Sequence, residues 1–382
     1  MSGNKQWVTR FVVLSLLLVL LVGIAIFVVD PLQHYRRATF YRPLWGTKRY
    51  YNPGYVRHYD YDCIVIGSSM VNNFAPSEVG RVLSMKVLVA SMPGGKPYEE
   101  RVLLSTALRT GKVRTVIWAL DLQPLGGIAT RPGSMPFYLY DDNPLNDYQY
   151  LLNGDILLRD CGKVLLYSLF RNRRGGGPGL GGAHPGGGSS PYSREATVRT
   201  WQRRRAEYRG RVRTRAEDVR RDVDSMQKSF DSNILSMAES NPDIRFYFFY
   251  PPYSILYWID TGIYGLDTYL EAKRYIFSRF RNLPNVRLFD FQDVDSITLD
   301  LDNYLDYSHS SPDVSSYIID AIAHNQYLVT DDNVDERISR LEDEVRRFTD
   351  SLAVAERDGC AGVPQSPDQS RPRSPDGEDF EP

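Results

Sequence analysis

Polar and apolar positions divide the chain at its start. Residues 11–29 (FVVLSLLLVLLVGIAIFVV) carry no charge and one strongly polar side chain, Ser15. Nineteen residues at 1.5 Å each make a helix of about 28 Å, close to the thickness of a bilayer core. The run predicts one membrane-crossing anchor preceded by a short head, residues 1–10. A cleaved signal peptide is the rival. Its apolar core is usually about 7–15 residues and ends in a small-x-small site, whereas this run leaves through Val28-Val29-Asp30-Pro31. No later stretch is comparable, so the pattern is that of a single-pass protein. Lys5 and Arg10 precede the run and Arg36 and Arg37 follow it, so the positive-inside rule leaves the orientation open.

From about residue 60 the pattern changes to short apolar runs separated by helical stretches. Residues 62–66 (DCIVI), 86–90 (KVLVA), 113–120 (VRTVIWAL), 244–250 (IRFYFFY) and 286–289 read as strands. Between or after them, residues 76–83, 98–109 and 314–323 read as helices. This alternation predicts an α/β domain over residues 30–332, with a mostly parallel sheet and helices on both faces. In such sheets ligands bind beyond the carboxyl ends of the strands.

Two kinds of segment interrupt or follow this body. Residues 171–191 are Gly/Pro-rich and low in complexity, and predict a flexible loop. Residues 194–240 form an Arg-rich helical insertion. Its basic face suits an anionic lipid or polymer, although a solvated helix in an Arg-biased chain is the plainer reading. No nucleic-acid recognition motif accompanies the charge. Residues 333–354 read as a charged helix and 355–382 as a disordered tail rich in Pro, Ser, Asp and Glu. The net charge of −1 is thus a sum of unlike parts. A charged fraction of 24% and a hydrophobic fraction of 42% exclude wholesale disorder and a many-span membrane protein. Three scattered cysteines (Cys63, Cys161, Cys360) give neither a zinc spacing nor a disulfide framework. Gly94-Gly95 lacks the Lys-Ser/Thr of a phosphate loop. No metal or other cofactor is expected.

Three polar motifs lie at predicted strand ends or in a late loop. Gly67-Ser68-Ser69 follows the first strand. A buried strand that breaks there exposes a hydroxyl at the sheet edge and turns the serine N–H into the cleft, giving a nucleophile and half an oxyanion hole. Taken alone, Gly-Ser-Ser is a common turn. Ser91-Met92-Pro93-Gly94-Gly95 follows the second strand. Its glycines allow backbone N–H groups close to a substrate oxygen, and alone it is a plain strand-to-helix turn. Asp306-Tyr307-Ser308-His309 precedes a helix. There a carboxylate can hold imidazole Nδ1 and leave Nε2 as a general base, and alone it is a capped helix with a surface histidine. Tyr253, Tyr257 and Trp258 follow the fourth strand, as a platform for a sugar ring or as core and rim packing.

The serine after strand one, the glycines after strand two and the late Asp-x-x-His together resemble the SGNH/GDSL hydrolase superfamily. The likeness covers roughly residues 10–170 and 225–325. It includes Ser69-Met70-Val71-Asn72-Asn73-Phe74, residues 138–153, Tyr250-Pro251-Pro252-Tyr253-Ser254 and residues 289–309. These look like a membrane-anchored bacterial branch, similar to polysaccharide O-acetylation and cell-wall D-alanylation proteins. The resemblance implies a three-layer α/β/α flavodoxin-like domain. It implies Ser69 as nucleophile, Asp306 and His309 as its partners, and N–H groups of Ser69 and of Gly94 or Gly95 as oxyanion donors. The family's Asn-bearing third block is replaced by Asp121-Leu122-Gln123. Gln123 is a candidate substitute donor, whereas an aspartate there disfavours an oxyanion. The implied activity is that of an esterase or O-acyltransferase acting on acyl groups, acetyl foremost, of cell-surface glycans. The implied location is outside the cytoplasmic membrane, with a multi-span membrane O-acyltransferase as partner and without nucleic acid. The runner-up is a catalytically idle glycan-binding or scaffold protein of the same fold.

Overall fold

In the computed structural model, which describes residues 2–41, 43, 47–126, 135–170, 192–208, 215–259, 264–357 and 363, five strands build one parallel sheet. They are β1 Cys63–Gly67, β2 Val87–Ser91, β3 Thr115–Ala119, β4 Arg245–Tyr250 and β5 Val286–Asp290. Their order is β2-β1-β3-β4-β5, with every neighbouring pair parallel. The helices of eight residues or more are α1 Ser2–Val29, α2 Lys48–His58, α3 Pro76–Leu83, α4 Pro97–Arg109, α5 Gly162–Phe170, α6 Arg194–Tyr208, α7 Ala216–Phe230, α8 Leu266–Phe280, α9 Pro312–Ala323 and α10 Val334–Arg357. The Gly-rich stretch 171–191 and the tail beyond residue 357, Val363 apart, lie outside the described residues.

Strands β1 and β3 are buried along their whole length, which is why they read as continuous apolar runs instead of alternating ones. Successive side chains still point to opposite faces. On one face Cys63, Val65, Ile117, Ala119, Phe249 and Phe289 pack with Val79 of α3 and with Val314, Ile318 and Ile322 of α9. On the other, Trp118 packs near Phe248, which stacks on Phe280 of α8 with centroids 4.4 Å apart. The Trp118 indole there donates to the Glu100 carboxylate at 2.8 Å. The chain steps from β1 to β2 on one side and then to β3 on the other. That reversal falls at the carboxyl ends of β1 and β3, the usual ligand position in such sheets.

The fold resolves into two compact units, where the sequence suggested one body over 30–332. One comprises Asp62–Arg101, Arg114–Ala129 and Leu180–Pro382 and holds the sheet. Within it α10 packs Ile338, Leu341, Val345 and Leu352 against Trp201 of α6 and Ile255, Leu256 and Leu301, so the charged helix is half core. The Trp201 indole donates to the Ile259 carbonyl at 3.0 Å. Arginines of the Arg-rich insertion have acidic partners: Arg204 with Glu207, Arg205 with Glu356 and Arg221 with Asp218.

The other unit comprises Met1–Tyr61, Val102–Val113 and Thr130–Gly179. Its α1 contains Lys5–Val29, the one helix among the described residues long and apolar enough to cross a membrane. A signal sequence near an N-terminus meets the same criterion of length and composition. Beyond α1 the chain turns at Asp30 and Gln33, both at positive φ. The buried Asp30 carboxylate accepts the N–H groups of His34, Tyr35 and Arg36 and the Tyr150 hydroxyl, at 2.8 to 3.0 Å. Gly54 of α2 lies so close to this turn that a methyl there would overlap the Leu32 carbonyl oxygen.

Candidate active site

The site lies in the sheet-bearing unit, at the carboxyl ends of β1 and β3. Gly67, at φ 153°, ends β1, and a Cβ there would come within 2.9 Å of the Ala119 Cβ on β3. Only glycine lets the chain turn away between two central strands so tightly. Ser68 follows and accepts the Met70 N–H, opening a short 3-10 turn, Ser69–Val71. The turn carries Ser69 to the sheet edge, half-buried.

The Asp306–His309 segment is the tip of a closed loop. Tyr304 and Ser310 form an antiparallel bridge and the Leu305 N–H donates to the His309 carbonyl at 2.9 Å. Inside it the Asp306 Oδ1 accepts the backbone N–H groups of Ser308 and His309 at 2.8 and 2.9 Å and the Ser308 hydroxyl at 3.0 Å. Its Oδ2 lies 2.8 Å from His309 Nδ1. Burial acts against the charged carboxyl, but these bonds and the imidazole outweigh it and hold Asp306 down at about 2. The ring nitrogen facing that carboxylate carries the proton, so Nε2 is the acceptor, and it lies 2.7 Å from the Ser69 hydroxyl. Serine, histidine and aspartate are therefore joined in one relay of two short hydrogen bonds. Burial alone would lower the His309 pKa. The Asp306 bond and charge and the Asp121 charge outweigh that effect and raise it above 6.5.

The loop after β2 sits beside this relay by sheet register. Gly67 pairs with Ser91, and the Met92 N–H donates to the Gly67 carbonyl at 2.8 Å. The Gly95 N–H closes a turn on the Met92 carbonyl at 2.6 Å, so it is engaged within the loop. Gly94 sits at φ 62°.

After β3, Asp121 stands half-buried before the short turn Leu122–Leu125. Burial pushes its carboxyl upward, and hydrogen bonds from Ser68 and Tyr253 and the charge of His309 moderate the rise. The Tyr253 hydroxyl donates to Asp121, and the Tyr257 hydroxyl to the Gln123 side-chain oxygen at 2.9 Å. Tyr253 is buried and stacks on Tyr257 with centroids 3.9 Å apart. Its face is thus covered, and its role is to hold Asp121. Tyr257 and Trp258 are half-buried, with rings edge-on at 5.2 Å.

Three side chains within the quoted motifs join the site in roles that the sequence did not assign. Ser308 doubles the hold on Asp306. Asn73 ties the serine loop to the histidine loop by donating to the Ser310 carbonyl at 2.7 Å. The Ser254 hydroxyl donates to the Tyr307 carbonyl at 2.7 Å, tying the loop after β4 to the same segment. Among the described residues no cluster of His, Cys, Asp or Glu is arranged to hold a metal ion. Cys63 is buried, which pushes its thiol up to about 12 and leaves it unreactive.

No model of a known protein family matches the chain, and no curated protein sequence matches it.

Proposed function

We propose that this chain is a membrane-anchored serine esterase or O-acyltransferase of the SGNH kind. It would act on acyl esters, acetyl foremost, of surface polysaccharide outside the cytoplasmic membrane. The observation that carries the reading is the relay itself, with Ser69 Oγ 2.7 Å from His309 Nε2 and His309 Nδ1 2.8 Å from Asp306. The reading is supported by the strand order and by its position at the carboxyl ends of β1 and β3. In this reading the fold is the three-layer α/β/α flavodoxin-like arrangement of that superfamily.

In this reading the reaction is acyl transfer through Ser69. His309 Nε2 takes the Ser69 proton as the oxygen attacks the ester carbonyl, and Asp306 holds the ring and the charge it gains. The N–H groups of Ser69 and Gly94, with the Gln123 amide, stabilise the oxyanion. The protonated imidazole then returns its proton to the departing alcohol oxygen. Water resolves the acyl-enzyme in an esterase, and a sugar hydroxyl does so in a transferase. The acyl groups would be exchanged with a multi-span membrane O-acyltransferase. Tyr257 and Trp258 would contact the sugar. The chemistry calls for no cofactor.

One observation favours a second reading, an idle glycan-binding or scaffold protein. Asp121 stands where the family resemblance calls for an amide donor, and a carboxylate repels an oxyanion. Hydrolysis of a chromogenic acetyl ester by the full chain in detergent separates the two. The acyl-transfer reading expects acetate release that Ser69→Ala removes. Release undiminished by that substitution would refute the assignment.

A further inference from the structure

The unit that carries α1 bears an apolar surface that the relay does not involve. From Phe11 to Leu21, α1 is exposed except at Ser15; from Val22 onward one face is covered, at Val22, Gly23, Ala25, Ile26 and Val29. That spacing is one helical stripe. The cover is the turn Tyr148–Leu151 and the wide π turn Ile156–Cys161 that leads into α5. A methyl group at Gly23 would lie 3.7 Å from the Leu152 Cδ2 and 3.9 Å from the Leu151 carbonyl oxygen.

Gly23 precedes Val29 by six residues, about 9 Å along the helix axis. The end of α1 is marked by Arg36, which donates to the Phe27 and Val28 carbonyls and lies over the Phe27 ring. Such a cation at a helix C-terminus suits the headgroup level. If α1 spans the bilayer, Leu151 and Leu152 therefore sit about 9 Å inside that level, within the about 5–10 Å reached by interfacial helices. The outward side of the segment fits that depth. Leu152, Leu158, Leu165 and Leu166 are exposed, Leu158 to 80% and Leu166 to 55%. Arg159 and Lys163, one turn apart, are exposed beside them. Leucines flanked by cations are the pattern of a helix lying in an interface.

We propose that residues 148–166 are a second membrane contact. They seat Leu152, Leu158, Leu165 and Leu166 among the acyl chains of the leaflet that α1 leaves, with Arg159 and Lys163 at the lipid phosphates. The inference rests on α1 being a membrane span, and the experiment separates the two. The full chain is reconstituted in vesicles of phosphatidylcholine and phosphatidylglycerol with benzoylphenylalanine at Leu18, Leu158 or Leu166, and irradiated. All three positions are exposed, so the substitutions remove little packing. Lipid adducts at all three positions are the expected result. Adducts at Leu18 with none at Leu158 and Leu166 overturn the second contact and leave the anchor. Absence of adducts at Leu18 overturns the span and the inference with it. Protein–protein adducts at Leu158 or Leu166 in place of lipid adducts assign the face to a protein partner and also overturn the proposal.

Discussion

A buried histidine–aspartate pair in one unit and the Asp306–His309 pair in the other use the same side chains to opposite ends. In the sheet-bearing unit His309 Nδ1 lies 2.8 Å from Asp306, and Nε2 faces the Ser69 hydroxyl at 2.7 Å. In the other unit His34 Nε2 lies 3.2 Å from Asp147, and Nδ1 faces the Arg57 guanidinium at 3.2 Å. A guanidinium only donates, so His34 Nδ1 is an acceptor already filled and the ring is neutral. Burial, with the Arg57 charge, lowers the His34 pKa against the pull of Asp147. The His309 side chain is 36% exposed against 8% for His34. A carboxylate beside a histidine thus does not make a base. What makes one is a second nitrogen that is accessible and faces a proton to be taken.

Substitution separates the pairs most strongly at the histidines. His309→Ala should lower ester hydrolysis by about a thousandfold or more while leaving thermal unfolding nearly unchanged. Asp306→Asn, which disturbs the tautomer but keeps the shape, should cost about 10²–10⁴ in kcat. His34→Ala should do the reverse. It removes one buried partner from Asp147 and one from Arg57, which keep the Tyr35 hydroxyl and the Leu139 carbonyl, destabilises by about 1–3 kcal/mol and spares kcat per folded molecule. A hydrolysis defect at His34 as large as at His309, with folding intact, would remove the contrast.

Acidity sharpens the comparison. His309 is raised, so kcat/KM should rise with pH along a limb centred above 6.5. His34 is lowered, so the unfolded chain takes up that proton first. Its contribution to stability is complete above 6.5 and is lost as pH falls from 6.5 toward the folded value. The smallest effect is expected from Asp121→Asn. Removing one charge that raises His309 should move the acid limb of kcat/KM to lower pH, read from a pH–rate profile. A limb that stays in place would mean that Asp121 exerts no field on the base.

The sheet was legible because its strands are apolar runs bounded by turn residues, and each lies within two residues of its expected place. Ser69, Asp306 and His309 were legible because each sits where a strand or loop breaks. The setting of Tyr253 was not: it is buried, and its hydroxyl holds Asp121. That depends on which way a side chain turns, which spacing does not encode. The unit around α1 was not legible. It is held by pairings far apart in sequence, such as Tyr150 with Asp30 and Arg57 with the Leu139 carbonyl. Helix α2 hides behind the Asn52-Pro53-Gly54 in its middle, which locally signals a turn.

The central claim is that the Ser69 oxygen is an activated nucleophile. The most direct test treats the full chain with a fluorophosphonate probe and maps the adduct by peptide mass spectrometry. The account predicts a covalent adduct on Ser69 that is lost in His309→Ala. An intact chain whose Ser69 stays unlabelled, or labels equally without His309, would contradict it.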